Sequence, residues 1–147
     1  MSVRYQIVID AKDAERLARF WVAALGYVLE PPPEGFASWR DYYQHLGVEG
    51  ADLDIGPDSI VNPRGEGPRI WFHQVPEEKV VKNRLHFDVR ASGERSLPWS
   101  RRRAQVEAEV SRLEQLDAHR LETDSDEEHD RYAVGMVDPE GNEFDVH

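Results

Sequence analysis

NRLHFDVR, residues 83–90, decides how this chain is read, because apolar and polar side chains alternate along it without a break from Arg84 onward. Leu85, Phe87 and Val89 share one side, while Arg84, His86, Asp88 and Arg90 share the other. A period of two marks a strand with one face on a core and the other toward water or a site. The same arrangement opens the chain in VRYQIVID, residues 3–10, where Val3, Tyr5, Ile7 and Ile9 oppose Arg4, Gln6, Val8 and Asp10.

The segments after these two strands repeat as well. After the first, Asp13 reads as an N-cap, and Leu17, Phe20, Trp21, Ala24 and Leu25 recur at helical spacing until Gly26 ends the run. After the second, a loop with Gly93 and Pro98 leads to a helix over 101–116 with Val106, Val110, Leu113 and Leu116 as its apolar stripe. Strands are then expected at YVLE (27–30), ADLDIG (51–56) and PRIWFHQV (68–75) in the first half. In the second they are expected at AHRLE (118–122), RYAVGMVD (131–138) and EFDVH (143–147). Residues 36–50 read as an aromatic-rich connection, 57–67 as turn chemistry, and ETDSDEEHD (122–130) as an acidic loop.

Each half thus runs strand, helix, then about three strands. The fold class implied is α+β, a single domain over 1–147 built of two βαβββ modules, 3–75 and 84–147, with a charged connector at 76–83. A helix must cover one face of its sheet, so the apolar faces of the strands turn to the helices and the polar faces lie opposite. Gln6, Asp10, His86 and Asp88 then face a concavity. Phe144 and Val146 go to the helix side and leave Glu143 and Asp145 facing inward. Ile70 and Phe72 go to the core and Trp71 and His73 to the concavity, although both faces of that strand are apolar enough to leave its parity open.

Composition excludes several partners. Eighteen Lys plus Arg against 29 Asp plus Glu give a net charge of −11, which repels nucleic-acid backbones and anionic membranes. No cysteine is present, so disulfides, iron–sulfur clusters and thiol nucleophiles are out. With no basic n-region or long apolar stretch at the start, a cytoplasmic protein is expected. There is no P-loop, G-x-S-x-G, dinucleotide fingerprint or H-E-x-x-H, and DSDEEHD lacks the glycine and terminal glutamate of a calcium loop. The run RRR at 101–103 reads as a surface helix start paired with Glu107.

Three segments together, QIVIDAKDAERLARFWVAALGY (6–27), GPRIWFHQVPEEKVVKNRLHFDV (67–89) and DPEGNEFDV (138–146), resemble the glyoxalase-like members of the vicinal oxygen chelate superfamily. That superfamily also holds bleomycin-resistance proteins and extradiol dioxygenases. The resemblance implies paired βαβββ modules around a small-molecule cavity, and often a homodimer. It also implies metal ligands on the first and last strands of each module, which fall here on Gln6, His73, His86 and Asp145.

Imidazole, carboxylate and amide oxygen suit Zn²⁺, Ni²⁺, Mn²⁺ or Fe²⁺ and leave room for a ligand. Such an ion would polarise vicinal oxygens and stabilise an enediolate, with Asp145 or Glu143 as general base. Asp145 is one methylene shorter than the glutamate such enzymes usually present, and His73 stands where an acid is expected. The same residues suit a metal-free cleft in which Gln6 and Asp145 hydrogen-bond His86 and Arg84. Trp39 and Trp71 are candidates for walls of a substrate pocket, Arg84 for an anionic group on a ligand, and Asp88 for holding the ligand beside His86. Two functional classes therefore stand: a metal-dependent lyase or isomerase, and a ligand- or antibiotic-sequestering protein without turnover.

Overall fold

Strand β1 (Gln6–Ala11) ends where Asp13 turns the chain into helix α1 (Ala14–Leu25), its carboxylate accepting from the Arg16 N–H at 3.0 Å. Gly26, at φ 67°, closes the helix in the left-handed region that glycine adopts without a Cβ clash. In this computed structural model, which describes residues 3–53 and 56–147, the first half continues with β2 (Val28–Leu29), α2 (Trp39–His45), β3 (Ser59–Val61) and β4 (Arg69–Gln74). The second half holds β5 (Asp88–Val89), α3 (Trp99–Glu114), β6 (His119–Asp126), β7 (Arg131–Val137) and β8 (Glu143–Val146).

Both halves form a four-stranded mixed sheet with one order. The first runs β1-β4-β3-β2 and the second β5-β8-β7-β6, so in each the first strand lies parallel beside the last and the other pairs are antiparallel. The chain divides into two compact units, Met1–Pro76 and Glu77–His147. The architecture is α+β, made of two βαβββ modules.

Each sheet buries its apolar face with its own helix. Leu17, Trp21, Ile60, Ile70 and Phe72 are almost fully buried in the first unit, and Val106, Val110, Leu113, Val134, Met136, Phe144 and Val146 in the second. Each large side chain among them contributes about 1.5–3 kcal/mol through burial. Among the described residues no helix is long and apolar enough to cross a membrane.

Several local expectations are corrected. Val3 and Tyr5 precede β1 and are exposed, so they add nothing to the core. Within 36–50 a helix, α2, replaces the expected connection, capped by the Ser38 hydroxyl accepting from the Asp41 N–H. Of the strand expected at 51–56, the described part lies in a 3₁₀ turn, Gly50–Leu53; residues 54 and 55 lie outside the described residues. Inside the stretch read as turn chemistry sits β3, because Ile60 is completely buried and pairs with Ile70. The strand expected at 84–90 is shorter than its alternation: the chain bends at Arg84 and Leu85, leaving Leu85 87% exposed, and pairing in β5 covers Asp88–Val89. Strand β6 runs on through Asp126, into the expected acidic loop. Arg102, in the run read as surface, is buried against Asp130 and donates to the Leu97 carbonyl at 3.2 Å. Glu107 instead accepts from Arg120 and Tyr132, and Leu116 falls past the end of α3.

Candidate functional site

The second sheet brings three expected residues together. Asp88 on β5 stands opposite Asp145 on β8, fixed by the Asp145 N–H donating to the Phe87 carbonyl at 2.9 Å. His86, two residues before Asp88, extends the same polar side. Its Nε2 lies 3.2 Å from Asp145 Oδ2 and 3.7 Å from Asp88 Oδ1. One ligand atom from each of the three lies within 4.8 Å of the others. Two donors at about 2.0–2.2 Å from one divalent ion stand at most about 4.4 Å apart, a limit that the 3.2 and 3.7 Å separations from His86 meet. The trio is half-exposed, as a site open to ligands must be.

Glu143, two residues before Asp145 on β8, is tied differently. Its carboxylate pairs with Lys79 Nζ at 2.9 Å and accepts from the Asn83 N–H at 2.9 Å. The Lys79 ammonium, then the Asn83 N–H, pull its pKa from 4.5 to about 2. A group held so strongly ionised is a poor proton acceptor near neutral pH. Its evident role is to fasten the connector to β8. Arg84, at the bend before β5, is exposed.

The polar face of the first sheet carries a different network. Gln6 stands opposite Arg69, whose guanidinium reaches Glu30 through Nε and Nη2 at 2.7–2.9 Å, Ser59 Oγ at 2.9 Å and Gln6 Oε1 at 2.8 Å. The Glu30 hydrogen bonds raise the Arg69 pKa further, so this cation is permanent. Trp71 donates from Nε1 to Asp58 at 2.9 Å, its ring centroid lies 4.8 Å from that of His73, and His73 Nδ1 lies 3.3 Å from Asp10. The expected parity of Ile70 and Phe72 against Trp71 and His73 is what the strand shows.

Two expectations about this face change. Gln6 pairs with Arg69 and His73 with Asp10, four ladder steps apart, or about 13 Å along the strands. Trp71 stands between them, so one ion cannot take both. Trp39 lies on α2, where its indole N–H donates to the Glu30 carbonyl at 2.8 Å and its ring stacks on Tyr43. It anchors that helix to the end of β2.

Two residues the sequence did not suggest also lie beside Asp145. Gly135 on β7 is opposite Asp145, and Glu122 on β6 is opposite Gly135. Glu122 closed the strand expected at 118–122 but was not marked as a site residue, because β6 carries almost no apolar side chains to fix which face each residue takes.

Paired modules with first-beside-last parallel strands define the class of protein as the vicinal oxygen chelate superfamily. A family model for the glyoxalase-like domain matches residues 6–147, and the chain belongs to that family. No curated protein matches significantly. Among solved structures, the fold is similar to the fosfomycin resistance protein FosX from Mesorhizobium loti, at 10% identity and TM-score 0.59, covering 100% of this chain and 92% of that one. A glyoxalase/bleomycin resistance protein/dioxygenase family enzyme from Burkholderia phytofirmans gives 12% identity and TM-score 0.58, covering 96% and 94%. A mutant FosX from Listeria monocytogenes, complexed with Mn(II) and 1S,2S-dihydroxypropylphosphonic acid, gives 10% and 0.60, covering 100% and 90%.

Proposed function

We propose that the protein is a metal-assisted lyase or isomerase for a small molecule with oxygens on adjacent carbons, and that His86, Asp88 and Asp145 hold its divalent ion. The observation that carries this is the convergence of one imidazole and two carboxylates on a single spot of the second sheet. Mn(II), Zn(II), Ni(II) and Fe(II) all accept that donor set. The Mn(II) and the dihydroxy compound bound by a FosX of the same fold support it. When bound, the ion supplies Lewis-acid polarisation of the ligand's oxygens. His86 must then carry its proton on Nδ1, leaving Nε2 as the donor. Asp145 turns Oδ2 toward His86 and keeps Oδ1 for the ligand, and it replaces Glu143 as the proton acceptor. Arg84, exposed at the bend two residues before His86, meets an anionic group on the ligand.

Metal analysis of protein purified without chelator tests this directly. One ion per chain, lost in His86→Ala and kept in His73→Ala, is the expected result; a metal-free protein that takes up none of the four ions overturns it.

The second reading, a sequestering protein without turnover, is favoured by the first sheet, where Trp71 and His73 present a ring surface and Arg69 is already neutralised by Glu30. Ligand binding that persists in His86→Ala would favour it. A homodimer in the cytoplasm completes the proposal, because the outer strands of each sheet have an edge unpaired within that sheet. Light scattering that gives one chain's mass across a wide concentration range decides against the dimer.

A further inference from the structure

Gly135 sits in the middle of β7, paired on one side with β8 and on the other with β6. A glycine there weakens a strand, and it needs a reason. Backbone geometry does not supply one, since Gly135 is not among the residues with positive φ. The polar face does. A Cβ built on Gly135 would lie 3.6 Å from Asp145 Oδ1, 3.3 Å from Glu122 Cγ and 3.8 Å from the Glu122 carbonyl oxygen. Any larger side chain would extend from there over the Asp145 carboxylate.

The far wall of this slot is made by an irregularity. Strand β6 pairs Arg120 with Met136 but Glu122 with Gly135, so Leu121 is an extra residue in the ladder. Arg120 reaches Glu107 of α3 at 2.7 Å, on the helix side. Simple alternation would send Glu122 the same way; the bulge turns it onto the polar face instead. Asp145 is thus approached from two sides, with Oδ2 at His86 and Oδ1 at the slot.

We infer that Gly135 is the size-selecting residue of the site, its missing side chain seating a hydroxyl or similar hydrogen-bond donor of a vicinally oxygenated ligand against Asp145 Oδ1. This rests on the metal reading of His86, Asp88 and Asp145. Glu122 bounds the seat, and its carbonyl forms part of the floor.

Calorimetry with Mn(II) alone, then with acetohydroxamate as a vicinal-oxygen probe on the Mn(II)-loaded protein, separates the two ideas. Gly135→Val is expected to keep Mn(II) affinity within about twofold and to lose acetohydroxamate affinity at least tenfold, with Gly135→Ala between. Acetohydroxamate binding unchanged in Gly135→Val, or absent from the Mn(II)-loaded wild type, overturns the seat and leaves the metal site standing. No uptake of Mn(II), Zn(II), Ni(II) or Fe(II) by the wild type overturns the metal reading and the seat with it; where another of the four binds in place of Mn(II), it carries the same titration. If melting curves show Gly135→Val to be unfolded, Gly135→Ala decides, with a threefold or larger loss supporting the seat and no loss overturning it.

Discussion

The two modules share a topology and differ in chemistry. Each is a strand, a helix and three strands in the same sheet order, and each buries one face under its own helix. On the opposite faces the first sheet locks an arginine between Glu30, Ser59 and Gln6, whereas the second leaves an imidazole and two carboxylates converging with half their surface open. The difference shows that a repeated fold constrains only the residues that pack. The polar face of each sheet contributes little to the core, so its residues are free to take on unlike tasks.

Metal binding should separate the modules most sharply. Replacing His86 by Ala is expected to lower Mn(II) or Zn(II) affinity at least a hundredfold by calorimetry, while replacing His73 by Ala leaves it unchanged. Equal losses from the two would make the asymmetry false.

Core truncation should instead show them as equals. Phe72→Ala and Phe144→Ala each empty a fully buried aromatic site and are expected to cost about 3–5 kcal/mol in urea unfolding. Phe87, only half-buried, should cost less; a Phe87→Ala loss as large as Phe144→Ala would mean that β5 packs more tightly than its two-residue pairing suggests.

Glu30→Gln tests the locked arginine. It leaves Arg69 half-buried beside a neutral amide, for a loss of about 1–3 kcal/mol in the first module. An unchanged melting temperature would mean that the network holds nothing in place.

The smallest effect belongs to Glu143. Its pKa in the folded protein, about 2, lies below its ordinary 4.5, so its pairing with Lys79 stabilises the fold fully above about pH 4.5 and ceases to do so as pH falls through about 2. Lys79→Met should flatten that part of the stability–pH curve, by about 1 kcal/mol for a single partly covered ion pair. Identical curves for the two proteins between pH 5 and 2 would assign the lowered pKa to the Asn83 N–H alone.

Much of this was legible in the sequence where apolar residues set a period. Asp13, the stripe from Leu17 to Leu25, Ile70 against Trp71, and Phe144 against Asp145 all read correctly because burial of one face leaves an imprint at spacing two or 3.6. Strand β6 was legible only at its start, as the strand expected at 118–122: seven of its eight residues are exposed, so its continuation to Asp126 rests on pairing with β7 and leaves no periodic imprint. Leu85 misled in the opposite direction, being apolar in the right register yet placed on a bend.

By itself, then, the sequence determined the two-module α+β fold and the side of each strand on which His86, Asp88 and Asp145 lie, because side-chain alternation is a local consequence of strand geometry. Tertiary structure decided which of those residues meet. The parallel register of β5 and β8 joins Asp88 to Asp145, the register of β1 and β4 puts Gln6 opposite Arg69 and far from His73, and a bulge brings Glu122 to Gly135. Register between strands distant in the chain is set by the packing of whole elements, which no short stretch of sequence encodes.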